Sequence, residues 1–381
     1  MLYFLSQQIP EWCQGTEWAE HLSWLRIFRY ITVRTAGAAM TALALSWWLG
    51  PMVIRRLTAL GFGERWVRAA GATAGAPLQS KQGTPTAGGL LIVLALSFST
   101  LIWAQLGNPL VDLTLLSVVV LCGLGFYDDY AKITRGNAKG ASSWIKLGVQ
   151  TALALFIGLY LWVTPATTQL VSDIMVPFYK YPVASGVAAV GILLTMLTIV
   201  GSSNAVNLTD GLDGLAIGCT LIVAVVFLVM TYLASNAKAA AYLLIPHVAG
   251  AGELTVFCAA LMGASLGFLW FNCHPAQMFM GDTGSLALGG ALGIVAVLIH
   301  QPLVLLIAGG VFVMEAGSVI IQTSYFKWTR RRYGAGRRVF LMTPIHHHFQ
   351  KRGWAETQVV ARFYILCVLF AVVALSTLKI R

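Results

Sequence analysis

The stretch DGLAIGCTLIVAVVFLVMTYL, residues 213–233, is the clearest indication of the fold class. After its first residue it has no charged side chain, and its length matches the about 20 mostly apolar residues that a membrane-crossing helix needs. Similar stretches bring the predicted number of spans to ten: roughly 33–54, 86–105, 110–127, 144–164, 182–201, 213–233, 254–271, 284–300, 302–323 and 358–378. We therefore expect an all-α polytopic membrane protein with ten transmembrane helices.

The composition of the whole chain agrees with this class. Of its 381 residues, 58% are hydrophobic and 10% are charged, whereas an ordinary soluble domain has about 25% charged residues. No loop has room for a soluble domain, so residues 1–381 are predicted to form a single integral membrane domain. The first 25 residues lack the basic start and short apolar core of a signal peptide, which predicts that this segment is retained.

The cysteines and the net charge exclude other classes of protein. The six cysteines form no CxxC pair, which argues against a disulfide framework and a zinc–thiolate site. The net charge of +11 would suit a nucleic-acid-binding protein, but in a membrane chain basic residues mostly mark the cytoplasmic loops. Nucleic acid is therefore not an expected partner.

The distribution of basic residues predicts the orientation. Alternate connections, at about 55–85, 128–146, 202–212, 272–283 and 324–357, hold 17 of the 25 lysines and arginines. The positive-inside rule makes these loops cytoplasmic and both termini periplasmic, with residues 1–25 as a periplasmic segment. Any chemistry should then lie at the cytoplasmic face.

An acidic pair lies in one of these loops, in the motif GFYDDY. Asp128 and Asp129 follow a predicted helix and stand at its partially negative end, where a carboxylate is disfavoured. A solvated helix end is one interpretation; a cation site or catalytic carboxylate is the other. A pair of carboxylates without further protein ligands suits Mg²⁺, because this ion is also coordinated by the phosphates of the substrate.

A second polar motif, SNAVNLTDGLDGLA, precedes the sixth span. Asn204, Asn207, Asp210 and Asp213 recur every three residues, which keeps them on one side of a helix or turn. Helix capping would account for the two aspartates, but not for the asparagines or the glycines. Glycines before a helix also let an anionic ligand approach backbone amides.

A third motif, FNCHPAQMFMGDTGSLALGG, precedes the eighth span. Asp282 is either a simple helix cap or a ligand at a second inward-pointing helix start. Phe279 would ordinarily face the core or lipid, but beside a phosphate site its ring can stack on a nucleobase.

Lysines accompany these acids. SKQGTPTAGG sets Lys81 and Thr86 before the second span, and Lys132, Lys139 and Lys146 surround the acidic pair. They either mark topology or offset the charge of a phosphorylated substrate.

Three consecutive histidines, His346, His347 and His348, lie in the most basic loop. Adjacent residues of a helix or strand point apart, so three ligands to one zinc ion is a poor interpretation. A solvated run and a donor cluster for phosphate or sugar both remain open. Glu315, inside the ninth span, has either a functional role or a partner within the bundle.

The motifs SKQGTPTAGG, GFYDDYAK, NAVNLTDGLDGLA, FNCHPAQMFMGD, PIHHHFQKRGW and TLKIR, in this order, resemble a known family. They are similar to the phospho-N-acetylmuramoyl-pentapeptide transferases, within the polyprenyl-phosphate N-acetylhexosamine-1-phosphate transferases. The resemblance runs from about residue 25 to the C-terminus. It implies a homodimeric enzyme of the bacterial inner membrane with ten helices and Mg²⁺ as cofactor. Its substrates would be UDP-MurNAc-pentapeptide and undecaprenyl phosphate, and its products lipid I and UMP.

The resemblance also implies roles for particular residues. Asp282 would be the principal Mg²⁺ ligand, Asp128 and Asp129 would be essential carboxylates of the metal site, and Asp128 would deprotonate or position the lipid phosphate. The substrate region would comprise Lys81, Thr86, Lys132, Lys139, Asn204, Asn207, Asp210, Asp213, Asn272 and Phe279, with Phe279 on uracil. The histidines would engage the phosphates or sugar of the donor, with His347 as a catalytic residue.

The chain departs from the family pattern in its first 25 residues, in the run RRRYGAGRR and at Gln79, where some relatives have His. These differences concern loop geometry.

Two questions of function stay open. The lipid phosphate attacks the donor directly, or Asp128 or Asp129 first forms an aspartyl-phosphate. The rivals to the predicted enzyme are a sister transferase that uses UDP-GlcNAc and, from a different class, a lipid or metabolite transporter. Polar residues in transporters typically lie near mid-bilayer, whereas here they line one surface.

Overall fold

The computed structural model describes residues 1–12, 23–63, 83–135 and 140–379. Within this part of the chain the fold is helical, with one isolated β-bridge between Ile174 and Ala184. The α-helices are α1 (Leu2–Trp12), α2 (Ile31–Ala59), α3 (Gly89–Trp103), α4 (Pro109–Arg135), α5 (Ser143–Val163), α6 (Gln169–Ser172), α7 (Ala188–Thr209), α8 (Leu215–Ser235), α9 (Ala237–Leu243), α10 (Gly252–Asn272), α11 (Gly281–Leu298), α12 (Pro302–Ala308), α13 (Gly310–Tyr333), α14 (Ile345–Lys351) and α15 (Glu356–Ser376). A 3₁₀-helix, Ser23–Arg29, precedes α2.

The helices confirm a polytopic membrane protein. Among the described residues, eight helices are long and apolar enough to cross a membrane: α2, α4, α5, α7, α8, α10, α11 and α15. A ninth candidate is the pair α12 and α13, which meets at an angle of 85°, and α3 is apolar but has only 15 residues. The ten spans, the periplasmic termini and the single-domain organisation therefore stay predictions.

Several helices continue beyond the ends that hydropathy predicted, and two of them include polar motifs of the candidate site. Helix α4 extends to Arg135, so Asp128 and Asp129 lie on the helix instead of in the loop after it. Helix α7 extends to Thr209 and includes both asparagines of its polar motif. Hydropathy marks where apolar residues end, but a helix continues through polar residues when tertiary contacts hold it.

Helix α11 is the centre of the bundle. It packs against α4 on one side and α7 on the other, while α10 packs along α2 and α8. From Thr283 to Leu298 every residue of α11 is buried. A helix with apolar residues on all sides is expected to be buried in this way. The N-terminus of α11, which begins at Gly281, therefore has a fixed position relative to α4 and α7.

Helices α7 and α13 border an apolar groove, because α13 turns away from α12 at Gly309. The groove has a volume of about 370 Å³. Its walls include Leu197 and Val206 of α7 and Val313 and Ile320 of α13. Its polar surface is small, so the groove suits an apolar ligand.

Gly125 lets α4 approach the start of α11. A Cβ atom at this position would overlap the carbonyl group of Asp282. Without a side chain, α4 lies directly on the first turn of α11, and Asp128 and Asp129, about one turn further along α4, come beside Asp282.

We predict that Gly125→Ala destabilises the protein by about 1–3 kcal/mol, since the added methyl group forces α4 and α11 apart. The matched control is Gly123→Ala on the same helix, where a Cβ atom would meet no atom within 4 Å. Alanine has the higher helix propensity, so the control should be neutral or stabilising. Thermal unfolding in detergent measures both, and equal unfolding temperatures would contradict the close approach.

Candidate active site

Three carboxylates from two helices meet at the start of α11. Asp128 and Asp129 come from α4 and Asp282 from α11, and one oxygen of each lies within 4.8 Å of the others. Asp128 is fully buried and Asp129 nearly so. Two like charges 4 Å apart repel each other by about 4 kcal/mol in a partly shielded environment. The cluster therefore needs cations or hydrogen-bond donors close by.

Asp129 receives its donors from the N-terminus of α11. Its Oδ2 accepts hydrogen bonds from the backbone N–H of Thr283 at 3.0 Å and from the Thr283 hydroxyl at 2.6 Å. Its Oδ1 accepts the N–H of Asp282 at 3.3 Å. The first amides of a helix have no partner within that helix and carry partial positive charge, so a carboxylate stabilises them. The sequence allowed Asp282 to cap its own helix, but the cap comes from Asp129.

Two lysines supply the cations. The Nζ atom of Lys132 lies 2.6 Å from Asp128, 3.1 Å from Asp282 and 3.8 Å from Asp129. The Nζ atom of Lys146, in the first turn of α5, lies 2.9 Å from Asp128 and 2.8 Å from Asp282. Lys132 belongs to the predicted substrate set, whereas Lys146 was interpreted only as a charge near the acidic pair.

A cavity of about 350 Å³ opens beside this cluster. Its wall contains many of the predicted site residues, from five separate parts of the chain. The lining residues are Thr86, Asp129, Lys132, Asn207, Asp210, Gly211, Leu212, Asp213, Asn272, Phe279, Gly281, Asp282, His347, Gln350 and Glu356. Of the predicted carboxylate ligands, Asp129 and Asp282 border the cavity, while Asp128 lies behind them.

The asparagines of α7 have different surroundings. Asn207 donates from Nδ2 to Oδ1 of Asp282 and to the hydroxyl of Ser285, both at 2.8 Å, so it orients the Asp282 carboxylate. Asn204 lies one turn earlier, outside the cavity wall, and donates to the side chain of Gln150 at 2.9 Å. The predicted contact of Asn204 with substrate stays a prediction.

Asp210 lies at the end of α7, on the cavity wall. Loss of hydration, followed by the nearby charges of Asp282 and Asp129, raises the pKa of its carboxyl to about 8. A cationic ligand in the cavity would oppose this shift, because it favours the charged form.

Asp213 and Asn272 organise the loop before α11. Asp213 Oδ2 accepts the N–H of Ala276 at 3.2 Å and lies 3.0 Å from Nδ1 of His274. Asn272 accepts the N–H of Gly214 and donates to the carbonyl of Met278. These contacts position the loop that carries Phe279.

Phe279 and Thr86 lie on neighbouring segments of the wall. The Phe279 N–H donates to the carbonyl of Pro85 at 2.8 Å, and the Phe279 carbonyl accepts the N–H of Gly88 at 2.9 Å. This backbone pairing joins the loop before α11 to the segment before α3. An aromatic ring on a cavity wall is a group on which a base can stack.

The three histidines have different surroundings, although the rings of His346 and His347 lie with their centroids 4.1 Å apart. His347 borders the cavity, and its Nδ1 lies 2.8 Å from Oε1 of Gln350. Burial and the neighbouring His346 lower the pKa of His347, which favours the neutral imidazole. His348 accepts the N–H of Leu341, outside the cavity wall, and His346 is completely buried. Donor contacts for His346 and His348 stay predictions.

Sequence reasoning missed Gln350 and Glu356, which also line the cavity. Glu356 Oε1 accepts the N–H of Asp213 at 2.9 Å. As one of only 14 acidic residues, inside a predicted cytoplasmic loop, it had a detectable signal. Lys81 and Lys139 lie outside the described residues.

The carboxylate cluster is compatible with a divalent metal ion. Its donors are all carboxylate oxygens, which hard divalent cations prefer. The ammonium groups of Lys132 and Lys146 contact the same oxygens, so the cluster already attracts positive charge. Asp213, His274 and Glu356 form a second possible metal group among the described residues, but Asp213 also holds the loop backbone there.

The chain is similar to known proteins over most of its length. Residues 112–300 match the model of glycosyl transferase family 4. The chain is 50% identical over 359 residues to the phospho-N-acetylmuramoyl-pentapeptide-transferase of Opitutus terrae, covering 94% of this chain and 96% of the relative. It is 48% identical to the enzyme of the same name from Methylacidiphilum infernorum, covering 95% and 97%, and 49% identical to that from Desulfotalea psychrophila, covering 93% and 95%.

Proposed function

The chain belongs to the phospho-N-acetylmuramoyl-pentapeptide-transferase family, and we propose that it catalyses the first membrane step of peptidoglycan synthesis. It transfers phospho-MurNAc-pentapeptide from UDP-MurNAc-pentapeptide to undecaprenyl phosphate, and the products are lipid I and UMP. The observation that carries this proposal is the carboxylate cluster of Asp128, Asp129 and Asp282 beside a cavity with an aromatic wall.

The proposed cofactor is Mg²⁺, held by Asp282, Asp129 and Asp128. When bound, the ion neutralises the pyrophosphate of the donor and stabilises the UMP that leaves. Asn207 keeps the Asp282 carboxylate oriented for this purpose. Lys132 and Lys146 supply further positive charge close to the phosphates.

The donor fits the cavity on chemical grounds. Phe279 offers a ring for uracil, and Asp210, Asp213 and Asn272 offer polar groups for the nucleoside. His347 borders the same space and, as a neutral imidazole, both donates and accepts hydrogen bonds. We propose that it contacts the sugar or the phosphates of the donor.

The apolar groove between α7 and α13 suits the prenyl chain of the acceptor. Val206 lines the groove, and the next residue of α7, Asn207, hydrogen-bonds to Asp282. A lipid in the groove would therefore have its phosphate near the carboxylate cluster. This arrangement brings a water-soluble donor and a membrane-bound acceptor to one site.

We favour direct attack of the lipid phosphate over a covalent intermediate. In this step a phosphate oxygen of the lipid bonds to the β-phosphorus of the donor while the bond to the UMP oxygen breaks. Asp128 is fully buried outside the cavity wall and is engaged by Lys132, Lys146 and the N–H of Ala141. These contacts disfavour Asp128 as the nucleophile of a two-step reaction.

On the strength of the resemblance, we also propose that the enzyme is a homodimer with ten spans in the bacterial inner membrane. Its cavity would face the cytoplasm, where the basic loops lie and the nucleotide donor is made. A sister transferase that uses UDP-GlcNAc is the alternative to test, since the metal and nucleotide chemistry would be the same.

We predict that purified protein in detergent releases UMP from UDP-MurNAc-pentapeptide only with undecaprenyl phosphate and Mg²⁺. Asp282→Asn should lower the rate about 100-fold or more, because it removes charge that stabilises the transition state. Asp112→Asn, at the opposite end of α4, is the matched control and should leave the rate unchanged.

The outcomes separate the alternatives. Release with UDP-GlcNAc but not with UDP-MurNAc-pentapeptide would assign the chain to the sister activity. Absence of release with both donors would contradict the proposed reaction and support the transporter interpretation.

A second prediction concerns the acceptor groove. Gly317→Leu should raise the KM for undecaprenyl phosphate about tenfold and leave the KM for the donor unchanged, because the new side chain occupies the groove. No atom lies within 4 Å of a Cβ at Gly317, so the substitution itself is tolerated. Gly123→Leu, equally open but outside the groove, is the control. A raised KM for both substrates, or for neither, would contradict this location of the acceptor.

A further inference from the structure

Glu315 is a buried carboxylate in the membrane-embedded part of α13. It is completely inaccessible to solvent, and its Oε2 lies 3.1 Å from Nδ1 of His346. Burying an ionisable group without a partner is costly in any protein interior and especially inside a membrane. The contact with His346 offsets part of this cost.

His346 lies between two parts of the active-site framework. Its Nδ1 faces Glu315 of α13, while its Nε2 lies against Gly211, where a Cβ atom would overlap the imidazole. Gly211 belongs to the turn between α7 and α8 that also carries Asp210 and Asp213. One imidazole thus joins α13, α14 and this turn.

Helix α14 depends on such contacts for its position. It has seven residues, and an isolated helix shorter than about 12 residues is unstable in water. On one side it is held by Phe349, whose ring stacks on Trp354 at 4.5 Å and packs against Phe363 of α15. On the other side it is held by His346. His347, which borders the cavity, lies between these two anchors.

We propose that Glu315 and His346 are positioning residues, which fix α14 so that His347 faces the donor while Gly211 and its turn keep their place on the cavity wall. This inference rests on the proposed transferase function. It gives the first histidine of the run a different task from the second: His346 contacts the protein framework and His347 the substrate. It also gives the intramembrane carboxylate a role outside the reaction itself.

The first test is whether Glu315 acts through His347. Glu315→Gln should lower kcat/KM for the donor about 10- to 100-fold, as loss of a group that orients an active-site residue does. In a His347→Ala background the same substitution should have little further effect, because the residue that Glu315 positions is already absent. Equal fold-losses in both backgrounds would overturn the proposal.

The matched control is Glu253→Gln. Glu253 is a second buried glutamate, paired with Arg34 at 2.6 Å at the start of α10, whereas the cavity residue Asn272 lies at the other end of that helix. We expect it to lower the unfolding temperature without changing kcat/KM in either background. If Glu253→Gln lowers kcat/KM as much as Glu315→Gln does, the effect comes from general destabilisation and the proposal is wrong.

Two substitutions at His346 test whether its Nδ1 contact with Glu315 matters for activity. The amide nitrogen of asparagine takes the place of Nδ1, so His346→Asn keeps a donor facing Glu315, whereas His346→Ala does not. His346→Asn should retain several-fold more activity than His346→Ala. Equal activities would contradict a role for the Nδ1 contact.

A readout independent of activity is hydrogen–deuterium exchange in residues 345–351. These amides should exchange several-fold faster in Glu315→Gln than in the wild type or in Glu253→Gln, because a neutral amide holds the imidazole of His346 less strongly than a carboxylate does. Unchanged exchange would show that the Phe349 contacts suffice and would overturn the proposal. Inactivity of the wild type in the UMP-release assay would instead refute the transferase function, so the two failures are distinguishable.

Discussion

The carboxylate of Asp129 on the N-terminus of α11 is the interaction on which the candidate site depends. Helix α11 is buried from Thr283 to its end, and its first amides, which have no partner within the helix, need an acceptor from elsewhere in the protein. Asp129 supplies that acceptor from α4 with three hydrogen bonds to Asp282 and Thr283. The same contact sets Asp282 beside the acidic pair. The first amides of the central helix α11 need an acceptor, and the carboxylate that meets this need also completes a cluster of negative charge that can hold a cation.

Much of this arrangement is predictable from the sequence, because the membrane restricts it. Apolar segments have to be helical when they cross a bilayer, and the predicted segments correspond to helices or, at 302–323, to a bent helix pair. The basic loops and the acidic motifs share one set of connections, so the convergence of Asp128 and Asp282 was expected. The cavity includes Asp210, Asp213, Asn272 and Phe279 as one group, which agrees with the motifs that suggested them.

The remaining features depend on contacts between residues far apart in the sequence, which local sequence patterns do not predict. Glu315 and His346 are 31 positions apart, and nothing in either motif indicates that they meet. The histidines were therefore interpreted as one cluster, although the structure separates them into a buried residue, a cavity residue and an outer residue. The bend at Gly309 was likewise missed, since hydropathy is insensitive to direction. It is this bend that opens the groove proposed for the lipid.

We propose that Asp128, Asp129 and Asp282, rather than Asp213, His274 and Glu356, hold the divalent cation. Binding of Mn²⁺, used in place of Mg²⁺ and followed by electron paramagnetic resonance of the purified protein, distinguishes the two groups. The bound-ion signal should be lost in Asp282→Asn and retained in Asp213→Asn. Retention in Asp282→Asn together with loss in Asp213→Asn would refute this assignment and move the metal to the other group.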